Sequence, residues 1–171
     1  PGWFALNAIA KTIPFILRNK GLSKIFIKEN NLPVLLNNLH RVPSRNHADV
    51  DLPYKLPNIL HKEGILVGLT ASGSLHGSRN LPFLAGTAAG YGLGKNVALK
   101  MITLNTAKIL GIDDITGSLE VGKDANIVVS SGDILDMMTS KISSAYITGR
   151  EINLDSKQQI LYDRFKRKYS N

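Results

Sequence analysis

The chain has 171 residues, 43% of them hydrophobic, 20% charged and 6% aromatic, with no cysteine. That is the material of an ordinary globular domain, and it excludes disorder, collagen or coiled coil for the whole, as well as disulfide frameworks, thiolate metal sites and cysteine nucleophiles. The net charge of +8 is unevenly spread: five basic residues and one acid from Lys157 onward account for +4 of it, and the rest is only mildly basic.

No run of about 18 apolar residues occurs, so a spanning helix is ruled out and no membrane partner is expected. The nearest candidate, Trp3 to Leu17, is broken by Asn7, Lys11 and Pro14, and its apolar run precedes its charges, unlike a secretory leader. The first residue is Pro1 rather than Met, which sets the expectation of a fragment of a longer chain. Helix is predicted around Leu22–Lys28 and ends at Asn30, Asn31 and Pro33. Val34-Leu35-Leu36 is a continuous apolar run between turn formers, the pattern of a strand buried on both faces. A polar loop from His40 to His47 follows. Helix is predicted over Leu56–Lys62, with Pro57 in its first turn and Gly64 as its stop. Ile65–Leu69 is a second buried strand, and strand, helix, strand at this spacing is a parallel βα unit.

The Ser- and Gly-rich stretch from Thr70 to Ser78 lies at the C-terminal end of that strand, where parallel α/β sheets and barrels bind ligands. Helices are predicted over Leu81–Tyr91, opened by Pro82, over Asn96–Leu104, and from Thr106 to Gly111 with Asn105 as N-cap. Beyond Asp114 the apolar period changes to two. Ser118–Val121, Ala125–Ser130 and Ser143–Thr148 read as short strands, and Gly149-Arg150 as a type II′ hairpin turn into Glu151-Ile152-Asn153. A last helix runs from about Ser156 to Tyr169.

Searches for local catalytic motifs are negative. Gly94-Lys95 fails as a phosphate loop, because Ala89 and Asn96 replace the required glycine and hydroxyl, so Gly90 to Gly94 reads as a cap and turn. No G-x-S-x-G surrounds Ser72 or Ser74. The four histidines, His40, His47, His61 and His76, are 7, 14 and 15 apart and form no local metal-binding pair. His40 and His76 each follow a predicted parallel strand; a common ligand and simple solvation are both open readings. Arg79 is placed either to fork onto a carboxylate or phosphate or to anchor its loop. The Arg164 to Lys168 cluster complements the dipole of its helix end, and a solvated helix end is favoured over nucleic-acid binding.

Leu99 to Ile112, with its Thr103-Leu104-Asn105-Thr106-Ala107 core, followed by Gly117-Ser118-Leu119-Glu120-Val121-Gly122-Lys123-Asp124-Ala125-Asn126, resembles the C-terminal signature of the amidohydrolase superfamily, most of all its imidazolonepropionase-like branch. Ala145-Tyr146-Ile147-Thr148-Gly149-Arg150 resembles the family's closing strand and hairpin. The likeness covers residues 65–153 well and 31–64 more loosely. It implies an α/β fold, the C-terminal part of a metal-dependent (β/α)8 TIM-type barrel with part of a small flanking β-sandwich. Residues 1–114 would be the partial barrel, with Val34–Leu36 and Ile65–Leu69 as strands seven and eight. Residues 115–153 would be half of the sandwich and 154–171 a basic helix.

The resemblance further implies a parent enzyme that hydrolyses C–N bonds in cyclic amide-like small molecules with a divalent metal such as zinc. No metal is expected in this chain alone, which is expected to be inactive. The catalytic Asp usual at the end of strand eight is absent near Thr70-Ala71-Ser72, so the alternative is a degenerate barrel that binds or scaffolds. His40, Arg41, Ser72, His76 and Arg79 are the expected substrate-lining residues. The expected macromolecular partner is the missing N-terminal portion or a second copy of the chain.

Overall fold

The computed structural model describes residues 22–37, 39–42, 49–71 and 75–169. Their elements, in order, are α1 (Leu22–Glu29), β1 (Val34–Asn37), α2 (Leu52–Lys62), β2 (Val67–Thr70), the single turn α3 (Leu75–Ser78), α4 (Leu81–Ala88), α5 (Lys95–Ile102), α6 (Leu104–Leu110), β3 (Ile127–Ser130), β4 (Ile142–Ile147), β5 (Arg150–Glu151) and α7 (Lys157–Tyr169). β1 and β2 pair in parallel, Val34 opposite Val67 and Asn37 opposite Thr70, with α2 as the crossover. β3, β4 and β5 form a separate antiparallel sheet in that order.

The parallel pair forms because its side chains have apolar neighbours on both sides. Val34, Leu36, Val67 and Leu69 are buried together with Leu60 of α2, Leu84, Ala85 and Ala88 of α4, and Ala98 and Met101 of α5. α6 lies against β2, where the Asn105 side chain donates to the Val67 carbonyl at 2.9 Å. Asn105 was expected to cap α6; the residue at that place is Thr103, and the Asn105 amide serves the strand instead.

α2 starts at Leu52, four residues before the expected start, so the first-turn proline is Pro53, and Pro57 lies inside the helix with its ring buried. Asp49 explains the earlier start. Its carboxylate accepts the Asp51 N–H at 3.1 Å and the Lys55 ammonium at 2.8 Å, which fixes the chain entering the first turn. Pro57 forgoes one helix hydrogen bond but keeps its place by packing. Gly64 ends α2 with φ +78°, as its position in the sequence required.

α4 runs into a kinked turn over Ala89–Leu93, where Tyr91 and Gly92 leave helical geometry before α5 begins. The expected strand Ser118–Val121 is absent: those residues are loop, with Leu119 and Val121 exposed. The hairpin between β4 and β5 turns on Thr148 and Gly149, with φ of 48° and 79°, one position earlier than expected. Two positive values fit a type I′ turn rather than II′. Asn126 Oδ1 accepts the Thr148 N–H at 3.0 Å, and the Ala125 carbonyl accepts that of Gly149 at 3.1 Å.

The two sheets are joined by the loop between β3 and β4, which buries Leu135 in the core around α4 and α5. Asp133 fixes this loop, accepting Lys95 Nζ at 2.6 Å and the Leu135 N–H at 3.0 Å. The Lys95 hydrogen bond, and then the Leu135 amide, hold the Asp133 carboxyl below its usual pKa. A carboxylate whose pKa is lower in the folded state stabilises that state above the unfolded pKa, and the contribution is lost as pH falls through the folded one. Asp133→Asn is therefore expected to unfold more readily than the parent chain at neutral pH, with the difference vanishing at acid pH. Urea titrations across the acid range check this.

Candidate functional site

The C-terminal ends of parallel strands gather backbone and side chains at one rim. Here Asn37 and Thr70 end their strands side by side, and the chain continues from β1 to His40 and Arg41 and from β2 to Ala71. Ser72 lies outside the described residues. His76 belongs to the single turn α3, and the side chain of this residue is likewise outside the description. Arg41 and Arg79 are exposed, and neither has an ion-pair partner among the described residues.

What the fold does assemble is a cluster around His40. Its Nε2 lies 2.7 Å from Thr87 Oγ1 on α4. Its ring meets Tyr54 of α2 edge to face at 6.1 Å, and Tyr54 in turn packs on Tyr91 of the kinked turn at 5.2 Å. The Thr87 hydroxyl donates its one proton to the Phe83 carbonyl at 3.0 Å. Its oxygen therefore accepts from His40, which must carry the proton on Nε2. In the neutral ring Nδ1 is then an acceptor beside the strand ends. Thr87→Val is expected to remove this preference at a cost of about 1 kcal/mol in stability. Long-range proton–nitrogen spectra of His40 check it: a ring protonated on Nδ1 in the parent chain would contradict the assignment.

Tyr54, Thr87 and Tyr91 were not expected at the site. Thr87 is 47 residues from His40, and no local pattern announces a side chain that becomes a neighbour only when two helices flank one strand. A shallow hollow of about 380 Å³ lies on the antiparallel sheet, lined by Ser143, Glu151 and Asn153 among others, and presents no histidine or cation.

The resemblance implies a divalent metal, which needs several converging ligands. The described residues contain no cluster of three or more His, Asp or Glu able to hold an ion, and Thr70 and Ala71 end β2 without a carboxylate. His40 is a candidate ligand with no second one beside it among them, so the described part of the chain does not make a metal site by itself.

Residues 41–155, more than half of the chain, match the amidohydrolase family. No curated protein matches the chain. Among solved structures, an amidohydrolase from Thermotoga maritima MSB8 is similar with 34% identity and a TM-score of 0.67, over 77% of this chain and 34% of that one. A second amidohydrolase shares 17% identity with a TM-score of 0.60, over 78% of this chain and 38% of its own. A prolidase complexed with N-methylphosphonate-L-proline shares 17% at a TM-score of 0.54, over 77% and 37%. At that identity the last two share the fold alone. The chain thus spans about a third of the length of these structures. The fold is α/β, with one parallel pair and its helices beside a separate antiparallel sheet and no closed barrel among the described residues. By its match over residues 41–155, the chain belongs to the amidohydrolase family.

Proposed function

We propose that the whole protein is a metal-dependent hydrolase of the imidazolonepropionase-like kind, cleaving C–N bonds in cyclic amide-like small molecules, and that this chain forms one wall of its active-site mouth. The observation that carries the reading is the family match, together with a parallel pair whose C-terminal ends carry His40, Arg41 and the approach to Arg79. Family membership supports a divalent metal such as zinc for the whole protein; its ligands would come from outside the described residues. His40, Arg41, Ser72, His76 and Arg79 would position substrate. The His40 ring nitrogen Nδ1 and the exposed guanidinium groups of Arg41 and Arg79 suit an amide N–H and a carboxylate, the two ends of such a substrate.

Residues 115–153 would be half of a β-sandwich: Val128, Val129 and Ile147 are exposed on a sheet whose only buried residue, among those described, is Ala145. The missing N-terminal portion, or a second copy, would cover it. The alternative, a barrel that only binds, is favoured by one observation, the acid-free end of β2 at Thr70 and Ala71.

The test is hydrolysis of hydantoin and imidazolone rings with zinc supplied. This chain alone is expected to show no turnover, whereas the chain joined to the rest of its barrel is expected to be active. An inert joined protein that also takes up no zinc would establish the binding reading instead.

A further inference from the structure

Helix α7 begins at Lys157, beyond the family match that ends at residue 155. None of its residues is buried. At 3.6 residues per turn Leu161, Tyr162, Phe165 and Tyr169 fall within an arc of about 100°. They are 37%, 57%, 50% and 72% exposed, which is unusual for four large side chains sharing one face. By the same helical geometry Lys166 and Lys168 flank the arc on its two sides, and Lys157, Arg164 and Arg167 lie further round, with Asp163 the lone acid of the helix.

Water is a poor partner for the arc and a good one for the cations, so the sequence expectation of a fully solvated helix leaves the arc unexplained. The partner must accept an apolar strip and, on both sides of it, positive charge. A nucleic acid answers the charge, and would use the rings only by stacking bases on their faces. Lys166 Nζ lies 5.7 Å above one face of the Tyr162 ring and Lys168 Nζ 5.4 Å above one face of the Tyr169 ring, while Phe165 and Tyr169 stack on each other with 11° between their planes. Base stacking would use the free faces of Tyr162 and Phe165 but leaves the aliphatic Leu161 without a partner, whereas the arc as a whole is an apolar strip bordered by lysines. A bilayer interface uses those features: aromatic edges settle at headgroup depth and flanking lysines extend to the phosphates.

We propose that α7 is an interfacial anchor that lays its Leu161–Phe165–Tyr169 face on an anionic phospholipid surface, with Lys166, Lys168 and the arginines on the headgroups. Among the described residues no helix is long and apolar enough to cross a membrane, so this is adsorption and not insertion across the bilayer. It revises the expectation of no membrane partner, which rested on the lack of a spanning segment alone. It stands independently of the hydrolase reading, because no residue of α7 belongs to the candidate site.

The test is co-sedimentation of the full chain with phosphatidylcholine vesicles, with and without a quarter of phosphatidylserine. The chain is expected to sediment with the anionic vesicles, hardly with the neutral ones, and less as salt is raised. Each cation removed is expected to weaken binding roughly fivefold, so Lys166→Glu with Lys168→Glu lowers it well over tenfold. Phe165→Glu with Tyr169→Glu is expected to abolish it; both changes fall on exposed positions and should leave the circular dichroism of the remaining chain unaltered. Failure to bind anionic vesicles overturns the proposal. So does binding that survives Phe165→Glu with Tyr169→Glu, which would make it charge alone, and so does a preference for a DNA or RNA oligonucleotide over the vesicles at equal phosphate.

Discussion

Met101→Ala is expected to lower the unfolding free energy by about 2–5 kcal/mol, the usual cost of truncating a large side chain in a core that closes only partly around the gap. Met101 sits on the inner face of α5 and, with Val34, Val67 and Pro57, is among the largest fully buried side chains among the described residues. The helix packs against α4, α6 and β2, so the lost volume would be felt by the strand that carries the candidate site as well as by two helices. The Met101 backbone carbonyl, which accepts the Thr106 hydroxyl of α6 at 2.7 Å, is kept by the substitution, so the cost is that of the lost side-chain volume. A domain of this size is held by about 5–15 kcal/mol in all, so the variant spends a large share of its stability. Met101→Leu, which keeps volume and polarity, should cost less than about 1.5 kcal/mol. Urea titrations of the three proteins check both figures, and equal midpoints for Ala and Leu would show that the side chain's volume does not matter.

The parallel pair was legible because its cause is local. Val34-Leu35-Leu36 and Ile65–Leu69 are apolar runs closed by turn formers, and a strand covered on both faces needs nothing more to declare itself. Gly64 and Gly111 were legible as helix stops for a similar reason, each sitting just past the last helical residue. Ser118–Val121 shows the limit of that reading. Its alternation suits a strand, but the segment is loop and pairs with no strand among the described residues, and Leu119 and Val121 remain exposed.

Pro57 misled in the other direction: a first-turn proline is the common case, and only the hold of Asp49 on Asp51 and Lys55 shows that the helix had already begun. His40 and Arg41 are named from their place after a predicted strand, and the structure has both just beyond the end of β1. The partners that orient His40 could not be named in this way, since Tyr54 and Thr87 come from helices whose facing sides are set by the packing of the whole unit. In the same way the tail's charge was plain from the sequence, whereas its unburied aromatic arc needed the structure.

Gly86→Ala is expected to destabilise the protein, although an alanine in mid-helix is normally an improvement. Helix propensity alone would favour the change by about 1 kcal/mol. Against this, a Cβ at Gly86 would fall on the Leu135 carbonyl oxygen, well inside contact distance, and 3.0 Å from its carbonyl carbon. Both are backbone atoms, so no side-chain rotation relieves the overlap. Either α4 moves away from the loop, at the roughly 1–3 kcal/mol typical of overpacking, or the loop leaves and Leu135 gives up a burial worth about 1.5–3 kcal/mol. Each offsets or exceeds the gain in propensity, and a net loss of up to about 2 kcal/mol follows.

The two routes differ in what else they disturb. Departure of the loop would break the Lys95–Asp133 pair and uncouple the antiparallel sheet from the parallel unit, exposing residues 131–141 to protease. Movement of α4 would carry Thr87 with it and release His40 from its fixed tautomer. Limited proteolysis and the His40 nitrogen spectrum, read on the same Gly86→Ala protein, separate them. Because Lys95 Nζ ties the Asp133 carboxylate to α5 while the Leu135 N–H closes on the same carboxylate within the loop, the helix α4 is expected to yield before the loop does. The predicted signature is therefore a disturbed His40 with residues 131–141 still protected. An intact His40 environment with residues 131–141 still protected, or stability raised by the propensity gain, would show that the Gly86–Leu135 contact does not join the two sheets.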